Sequence, residues 1–187
     1  MNLKFPLQKF REKYFLIACD GSEFNIARNP NDPETFYEPN GKSASGFNRV
    51  HTISLYELSS KRYLDLEVQP GRKKNEYQAF CNLMDQYAYG GHPIFIADRG
   101  FSSYNVFAHA IENKLNFMIR AKDLIVQRFL AVNSLPDELD TTVELLLTRT
   151  QSKKKHKQPE KETQYRYVGK TSHLITLTLP KFRMNIH

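Results

Sequence analysis

Two short apolar runs that each lead into an aspartate are the feature that most constrains this fold. Residues 14–19 read YFLIAC and precede Asp20, and residues 93–97 read PIFIA and precede Asp98. Short apolar runs of this kind predict buried strands, whereas aspartate is disfavoured inside strands. One such aspartate alone is typical of a turn. Two of them predict a shared site, provided that their strands are neighbours in the sheet.

The segments between these runs predict the rest of an α/β sheet. Residues 47–58 and 62–68 are rich in β-branched and aromatic side chains and predict a β-hairpin. Residues 77–88 have apolar side chains at helical spacing, and the glycine pair that follows ends that helix. A second helix is predicted after Ser102 or Ser103, followed by a strand at 117–121.

The resulting order, β-β-β-α-β-α-β, is that of the RNase H-like mixed sheet. Right-handed crossovers would place its first and fourth strands side by side and parallel. We therefore expect Asp20 and Asp98 at the carboxyl edge of the sheet, where open α/β sheets place their chemistry. Residues 1–123 are predicted to form this core. Residues 124–187 are predicted to be a β-rich insertion region, incomplete, with strands near 142–150, 164–169 and 173–179.

Two carboxylates at one edge predict a metal site. Neighbouring carboxylates repel each other unless a cation lies between them, and oxygen ligands suit Mg²⁺ or Mn²⁺. Two such ions about 3.5–4 Å apart activate a water or a 3′-hydroxyl and stabilise the leaving oxygen of a phosphodiester. We therefore predict that Asp20 and Asp98 are catalytic, metal-binding residues.

Charge and composition indicate the class of partner. The net charge of +7 favours a polyanion such as DNA or RNA. The predicted DNA-binding cations in two basic clusters are Arg72, Lys73, Lys74, Lys153, Lys154, Lys155 and Lys157. The sequence has neither an apolar run long enough to span a bilayer nor a leader peptide, so we expect a cytoplasmic protein without a membrane partner. Cys19 and Cys81 are interpreted as reduced core residues.

Two motifs carry a resemblance to a known family. The segments IACDGSEF and IADRGFSSYN are similar to the first two blocks of bacterial insertion-sequence transposases of the DDE type, in the insertion-sequence-four-type group that includes the hairpin-forming cut-and-paste enzymes. The resemblance covers about residues 14–123. It implies that Asp20 and Asp98 are the first two catalytic carboxylates and that Arg99 contacts a DNA phosphate. It also implies transposon ends and target DNA as partners, nucleoid association, and a homodimer when the enzyme is complete and DNA-bound.

The sequence departs from this family at the third carboxylate. The family has a glutamate on a late helix, within a motif of Tyr, two residues, Arg, three residues and Glu, and no tyrosine here is followed by arginine at that spacing. Later carboxylates, Glu112 and Asp123 among them, are interpreted as solvated charge. We therefore expect a catalytic-core fragment, engineered or decayed, that is inactive alone.

Two alternatives remain open from the sequence. A decayed transposase could persist as a non-catalytic DNA-binding remnant. A phosphatase of the haloacid-dehalogenase type would use Asp20 as its nucleophile, because CDGS follows an apolar strand, although the second aspartate two residues on is missing.

Overall fold

The computed structural model describes residues 7–41, 43–121, 123–147 and 173–181, and it is a mixed α/β structure with a mostly sheet core. Its elements are β1 (Tyr14–Ile26), β2 (Phe36–Tyr37), β3 (Phe47–Glu57), β4 (Arg62–Pro70), α1 (Glu76–Asp85), β5 (His92–Ala97), α2 (Tyr104–Glu112), β6 (Asn116–Ile119), α3 (Asp123–Leu130), β7 (Leu139–Leu147) and β8 (His173–Lys181). Single 3₁₀ turns, Gly71–Lys73 and Arg99–Phe101, follow β4 and β5.

The main sheet has the order β2-β3-β1-β5-β6, with β4 also paired to β3. Strand β1 is antiparallel to β3 and parallel to β5, and β5 is parallel to β6. The prediction that the strands leading to Asp20 and Asp98 are parallel neighbours is confirmed. Strands β7 and β8 form a separate antiparallel pair close to the predicted positions. The strand predicted at 164–169 lies outside the described residues.

The core lies on one face of the sheet because side chains alternate along each strand. On β1, Phe15, Ile17 and Cys19 are buried, whereas Leu16 and Ala18 between them are only half-buried. Helices α1 and α2 cover the buried face. Phe80 of α1 packs against Phe95 of β5, with 6.0 Å between ring centroids. The result is one apolar layer between the sheet and a pair of helices.

One strand boundary differs from the prediction in a way that matters. The apolar run predicted a strand over residues 14–19, but β1 continues to Ile26. Its partner β5 ends where Cys19 lies opposite Ala97, while pairing with β3 continues as far as Ile26 opposite Asn48. The backbone hydrogen bonds to β3 therefore outweigh the poor strand propensity of residues 20–25, and Asp20 lies inside a strand.

The long polar connection after β1 is held by one buried side chain. Asn48 is only 1% exposed. Its Nδ2 donates to Asn29 O at 2.9 Å and to Thr35 Oγ1 at 2.8 Å, and its Oδ1 accepts from Asn29 N at 2.6 Å. Nearby, the rings of Tyr37 and Phe47 stack with centroids 5.1 Å apart. These contacts fix the connection against the start of β3.

Two smaller differences concern helices and cysteines. Helix α3 occupies residues where the sequence predicted no helix, and α1 ends at Asp85, before Ala88. Cys19 and Cys81 are buried, as predicted, and Cys81 Sγ accepts a hydrogen bond from Asn105 Nδ2 at 3.6 Å. Within the described ranges, no helix combines the length and apolar character that crossing a membrane requires.

We expect Phe95→Ala to lower the free energy of unfolding by about 3–5 kcal/mol, because Phe95 has no exposed surface and its removal leaves a cavity beside Phe80. Met118→Ala on the neighbouring strand is the matched control, since Met118 is 60% exposed. Urea unfolding of the two variants checks this. Equal losses would show that the core is not centred on the face that α1 and α2 cover.

Candidate active site

Asp20 and Asp98 occupy equivalent positions on neighbouring strands. Each directly follows a residue of the last β1–β5 register pair, Cys19 opposite Ala97. Asp98 keeps an extended backbone, with φ −75° and ψ 178°, so the alternation of β5 continues through it. Both side chains are exposed. Since Cys19 and Ala97 point into the core, the two aspartates lie on the face opposite α1 and α2.

Each carboxylate uses one oxygen to accept a backbone hydrogen bond from a nearby glycine. Asp20 Oδ1 accepts from Gly21 N at 2.8 Å, and Asp98 Oδ1 accepts from Gly100 N at 2.6 Å. The second bond makes Asp98 the N-cap of the 3₁₀ turn Arg99–Phe101. In the described part of the chain, no group donates to Oδ2 of either aspartate. Both Oδ2 atoms are therefore available to a ligand.

Burial and the charges of both aspartates affect the pKa of the Cys19 thiol. Burial raises the pKa of Cys19 most, and the negative charges of Asp20 and Asp98 raise it further because they disfavour the thiolate. Two carboxylates thus act electrostatically on one core side chain. Cys19 itself stays a neutral thiol, which excludes it as a nucleophile in this site.

The described residues contain no complete group of metal ligands. Across residues 7–41, 43–121, 123–147 and 173–181, no three His, Cys, Asp or Glu side chains form a group that could hold a metal ion. Glu112 ends α2, which runs back from the carboxyl edge over about 12 Å. Asp123 begins α3 shortly after β6, whose carboxyl end lies at the same edge as that of β5. Of Glu112 and Asp123, Asp123 therefore lies closer to the sheet edge that carries Asp20 and Asp98.

Predicted DNA-contacting cations also lie at this edge, since β4 is antiparallel to β3 and so runs parallel to β1. Arg99 follows Asp98, is exposed, and has no acidic partner among the described residues. The loop after β4 differs. Lys74 Nζ lies 2.9 Å from Glu23 Oε1 and 3.4 Å from Glu76 Oε1, and Lys73 pairs with Glu34. Arg72 Nη1 donates to Phe36 O at 3.1 Å.

The cations of this loop are thus largely engaged within the protein. The second predicted cluster, Lys153, Lys154, Lys155 and Lys157, lies outside the described residues.

Sequence reasoning missed the residue that organises this loop, Glu23. Its carboxylate bridges Arg49 Nη1 at 2.6 Å and Lys74 Nζ at 2.9 Å. The hydrogen bond from Lys74 lowers the pKa of Glu23, and the same bond raises the pKa of Lys74. The sequence predicted a strand over residues 14–19 alone, so the pairing of Glu23 opposite His51 on β3 could not be inferred.

His51 links this network to the core. It is 2% exposed, and its Nε2 lies 3.2 Å from Glu76 Oε1. Its ring covers Gly21, where an added Cβ would come within 3.0 Å of His51 Cε1. Gly21 therefore allows a buried imidazole to pack directly beside the strand that carries Asp20.

Comparisons with known proteins identify a family. The family model described as "Transposase DDE domain" matches residues 12–181. A comparison with curated proteins gives no match. Among solved structures, the chain is similar to a piggyBac transposase synaptic complex with hairpin DNA, with 12% identity, 72% of this chain covered and a TM-score of 0.40, and it spans 30% of that chain's length. It is also similar to NurA bound to dAMP and manganese, with 10% identity, coverage of 95% of this chain and 52% of that one, and a TM-score of 0.18.

We expect Glu23→Gln to destabilise the fold at neutral pH by no more than about 1 kcal/mol, because the ion pairs are partly exposed to water. The pKa of Glu23 is lowered on folding from its ordinary 4.5. Its contribution to stability is therefore present above pH 4.5 and is lost as the pH falls through the folded-state pKa. Thermal unfolding of wild type and variant between pH 3 and 7 should show the difference in Tm shrinking below about pH 4.5.

Glu38→Gln is the control, because the Glu38 side chain has no ion-pair partner in the described part of the chain. A Tm difference between wild type and Glu23→Gln that is independent of pH would contradict the proposed role of the charge.

Proposed function

Because the chain belongs to the transposase DDE domain family, we propose that it forms the part of a DNA transposase catalytic centre that supplies the first two carboxylates, Asp20 and Asp98. The observation that carries the proposal is the β1–β5 register, which ends at Cys19 opposite Ala97 and is followed by an aspartate on both strands. Family membership indicates nuclease and strand-transferase chemistry, and the paired aspartates are the chemical groups such a reaction needs.

A finer assignment of the fold is part of this proposal. The order β4-β3-β1-β5-β6, with an antiparallel half and a parallel half, supports an RNase H-like core. We propose that this core spans residues 1–123 and that residues 124–187, which contain β7 and β8, belong to a β-rich insertion. We also propose that the chain belongs to the bacterial insertion-sequence-four-type group, for which IADRGFSSYN is the more specific of the two supporting motifs.

The donor set fits a divalent cation. Two carboxylates with a free oxygen each, exposed at one sheet edge, suit Mg²⁺ or Mn²⁺. The ions, when bound, supply activation of a water or 3′-hydroxyl and stabilise the leaving oxygen. Asp20 and Asp98 would hold them. Arg99, adjacent to Asp98 and without an acidic partner among described residues, would bind a DNA phosphate and so align the strand with the carboxylates.

The proposed site is incomplete without a third carboxylate. Two aspartates partly neutralise one divalent ion, but they leave a second ion poorly held and the attacking oxygen poorly positioned. The family's Tyr, Arg and Glu motif is missing from the sequence. We therefore propose that this chain alone binds metal weakly and does not cut DNA, and that the complete enzyme acts as a homodimer on transposon ends and target.

One alternative within the same family is a DNA-binding remnant that has lost catalysis altogether. The net charge of +7 favours DNA binding in both cases. Only metal binding at Asp20 and Asp98, and strand nicking once the missing glutamate is supplied, separate the two. The phosphatase alternative is not retained, because the family match is to a transposase domain and Ser22, not an aspartate, stands two residues after Asp20.

We expect Mn²⁺ to raise the Tm of the chain slightly and Asp98→Asn to abolish this shift. With millimolar Mn²⁺ and a Kd of similar size, the added stability is only about 0.4 kcal/mol. Asparagine keeps an oxygen for the Gly100 N–H while it removes the charge, so the metal-free variant should be at least as stable as wild type. Calorimetry with and without Mn²⁺ checks both expectations.

Asp123→Asn and Glu112→Gln are the controls for this experiment. An unchanged Mn²⁺ response in Asp98→Asn would place the metal elsewhere. Nicking of DNA by the wild-type chain that disappears in Asp123→Asn would show that Asp123 completes the site.

We expect DNA binding to be independent of sequence and to weaken steeply with salt. Arg99→Ala should reduce the slope of log affinity against log salt by about 1, since it removes one phosphate contact. Lys73→Ala and Lys74→Ala should change the slope less, because both lysines are already paired with glutamates. Fluorescence anisotropy with a labelled duplex at several salt concentrations measures the slopes. A larger effect of the lysine variants than of Arg99→Ala would contradict this assignment.

A further inference from the structure

Gly100 packs so closely against the Asp98 carboxylate that a side chain at this position would overlap it. A Cβ added at Gly100 would come within 2.7 Å of Asp98 Oδ1 and about as close as van der Waals contact, 3.6 Å, to Oδ2. At the same time, the Gly100 N–H donates to Oδ1 at 2.6 Å. Gly100 thus has two effects on Asp98: its N–H holds Oδ1, and its lack of a side chain leaves room for the carboxylate in this position.

The clash at Gly100 falls on the carboxylate and on nothing else. Gly100 is not among the glycines with positive φ, so alanine fits its backbone conformation. Leaving out the chain neighbours, the three atoms nearest to the added Cβ all belong to Asp98, and Oδ1 at 2.7 Å is the one that it would overlap. Gly21 differs in this respect. Its added Cβ would meet His51 and Ile53 instead, so its lack of a side chain serves packing under the strand.

We propose that Gly100 is a positioning residue for metal binding: by holding Oδ1 of Asp98, it presents Oδ2 as a single oxygen ligand. This inference rests on the proposed function, in which Asp98 binds the cation. A carboxylate fixed through one oxygen is a monodentate ligand, which suits the near-ideal octahedral geometry that Mg²⁺ demands. Ca²⁺ accepts irregular and bidentate coordination and is less sensitive to how the carboxylate is turned.

The test is titration calorimetry of the 187-residue chain with Mg²⁺ alone and with Ca²⁺ alone. Gly100→Ala should raise the Kd for Mg²⁺ by about tenfold or more, as changes to groups that orient a ligand generally do. The Kd for Ca²⁺ should change several times less. Gly41→Ala is the matched control, because a Cβ there meets nothing within 4 Å, and it should leave both affinities unchanged.

The outcomes separate this inference from the proposed function. If Asp98→Asn abolishes Mg²⁺ binding while Gly100→Ala binds like wild type, the positioning role is wrong and the metal site stands. Equal losses for Mg²⁺ and Ca²⁺ in Gly100→Ala, with a lowered metal-free unfolding midpoint, would show a merely structural glycine. If Asp98→Asn binds Mg²⁺ normally, both proposals fail.

A second measurement applies even if Gly100→Ala does not fold. In the metal-free protein, Asp98→Ala removes the acceptor of the Gly100 N–H. Amide exchange at Gly100 should become faster in that variant, while exchange in the β1–β5 ladder stays at the wild-type rate. Unchanged exchange at Gly100 would overturn the inference.

Discussion

The hydrogen-bonded ladder between β1 and β5 is the interaction on which the rest of this structure depends. It joins the antiparallel half of the sheet to the parallel half. Its register decides which residues share a row, and a shift of one residue would turn every side chain of β5 to the other face. Phe95 would then leave the core and Asp98 would enter it. Burial of Phe95 against Phe80 therefore fixes the position of a carboxylate that it does not touch.

The sequence was most informative where local pattern and tertiary structure agree. The apolar runs before Asp20 and Asp98 and the alternation in residues 62–68 predict strands that the structure contains. The sequence was least informative where a distant partner decides. Nothing in GSEFNI indicates a strand, and these residues are extended because β3 offers hydrogen-bonding groups alongside them. Glu23 and its two cations come together only as a result of that pairing.

The paired charges change how the positive charge of this protein is interpreted. The loop GRKK looks like an open basic patch in the sequence, yet Glu23 and Glu34 hold its lysines against the extended end of β1 and the loop after it. The ion pairs of these lysines attach the β4–α1 connection to the sheet. A polyanion that binds there has to displace carboxylates, whereas one that approaches Arg99 does not. Whether a cation is already paired with a carboxylate, more than the number of lysines nearby, therefore decides where a phosphate can bind without breaking an ion pair.

The extended course of β1 through Asp20 and Gly21 also bears on chemical ageing. An aspartate followed by glycine is prone to cyclise: the glycine nitrogen attacks the side-chain carbonyl, a water leaves, and hydrolysis of the resulting succinimide gives aspartate or isoaspartate. Ring closure requires the backbone at Asp20 to leave the extended conformation, which the pairing of Asp20 with Ser54 and Gly21 with Ile53 prevents. The position of the carboxylate is thus tied to the folded state, because each local opening of this strand permits an isomerisation that moves the carboxylate relative to the backbone.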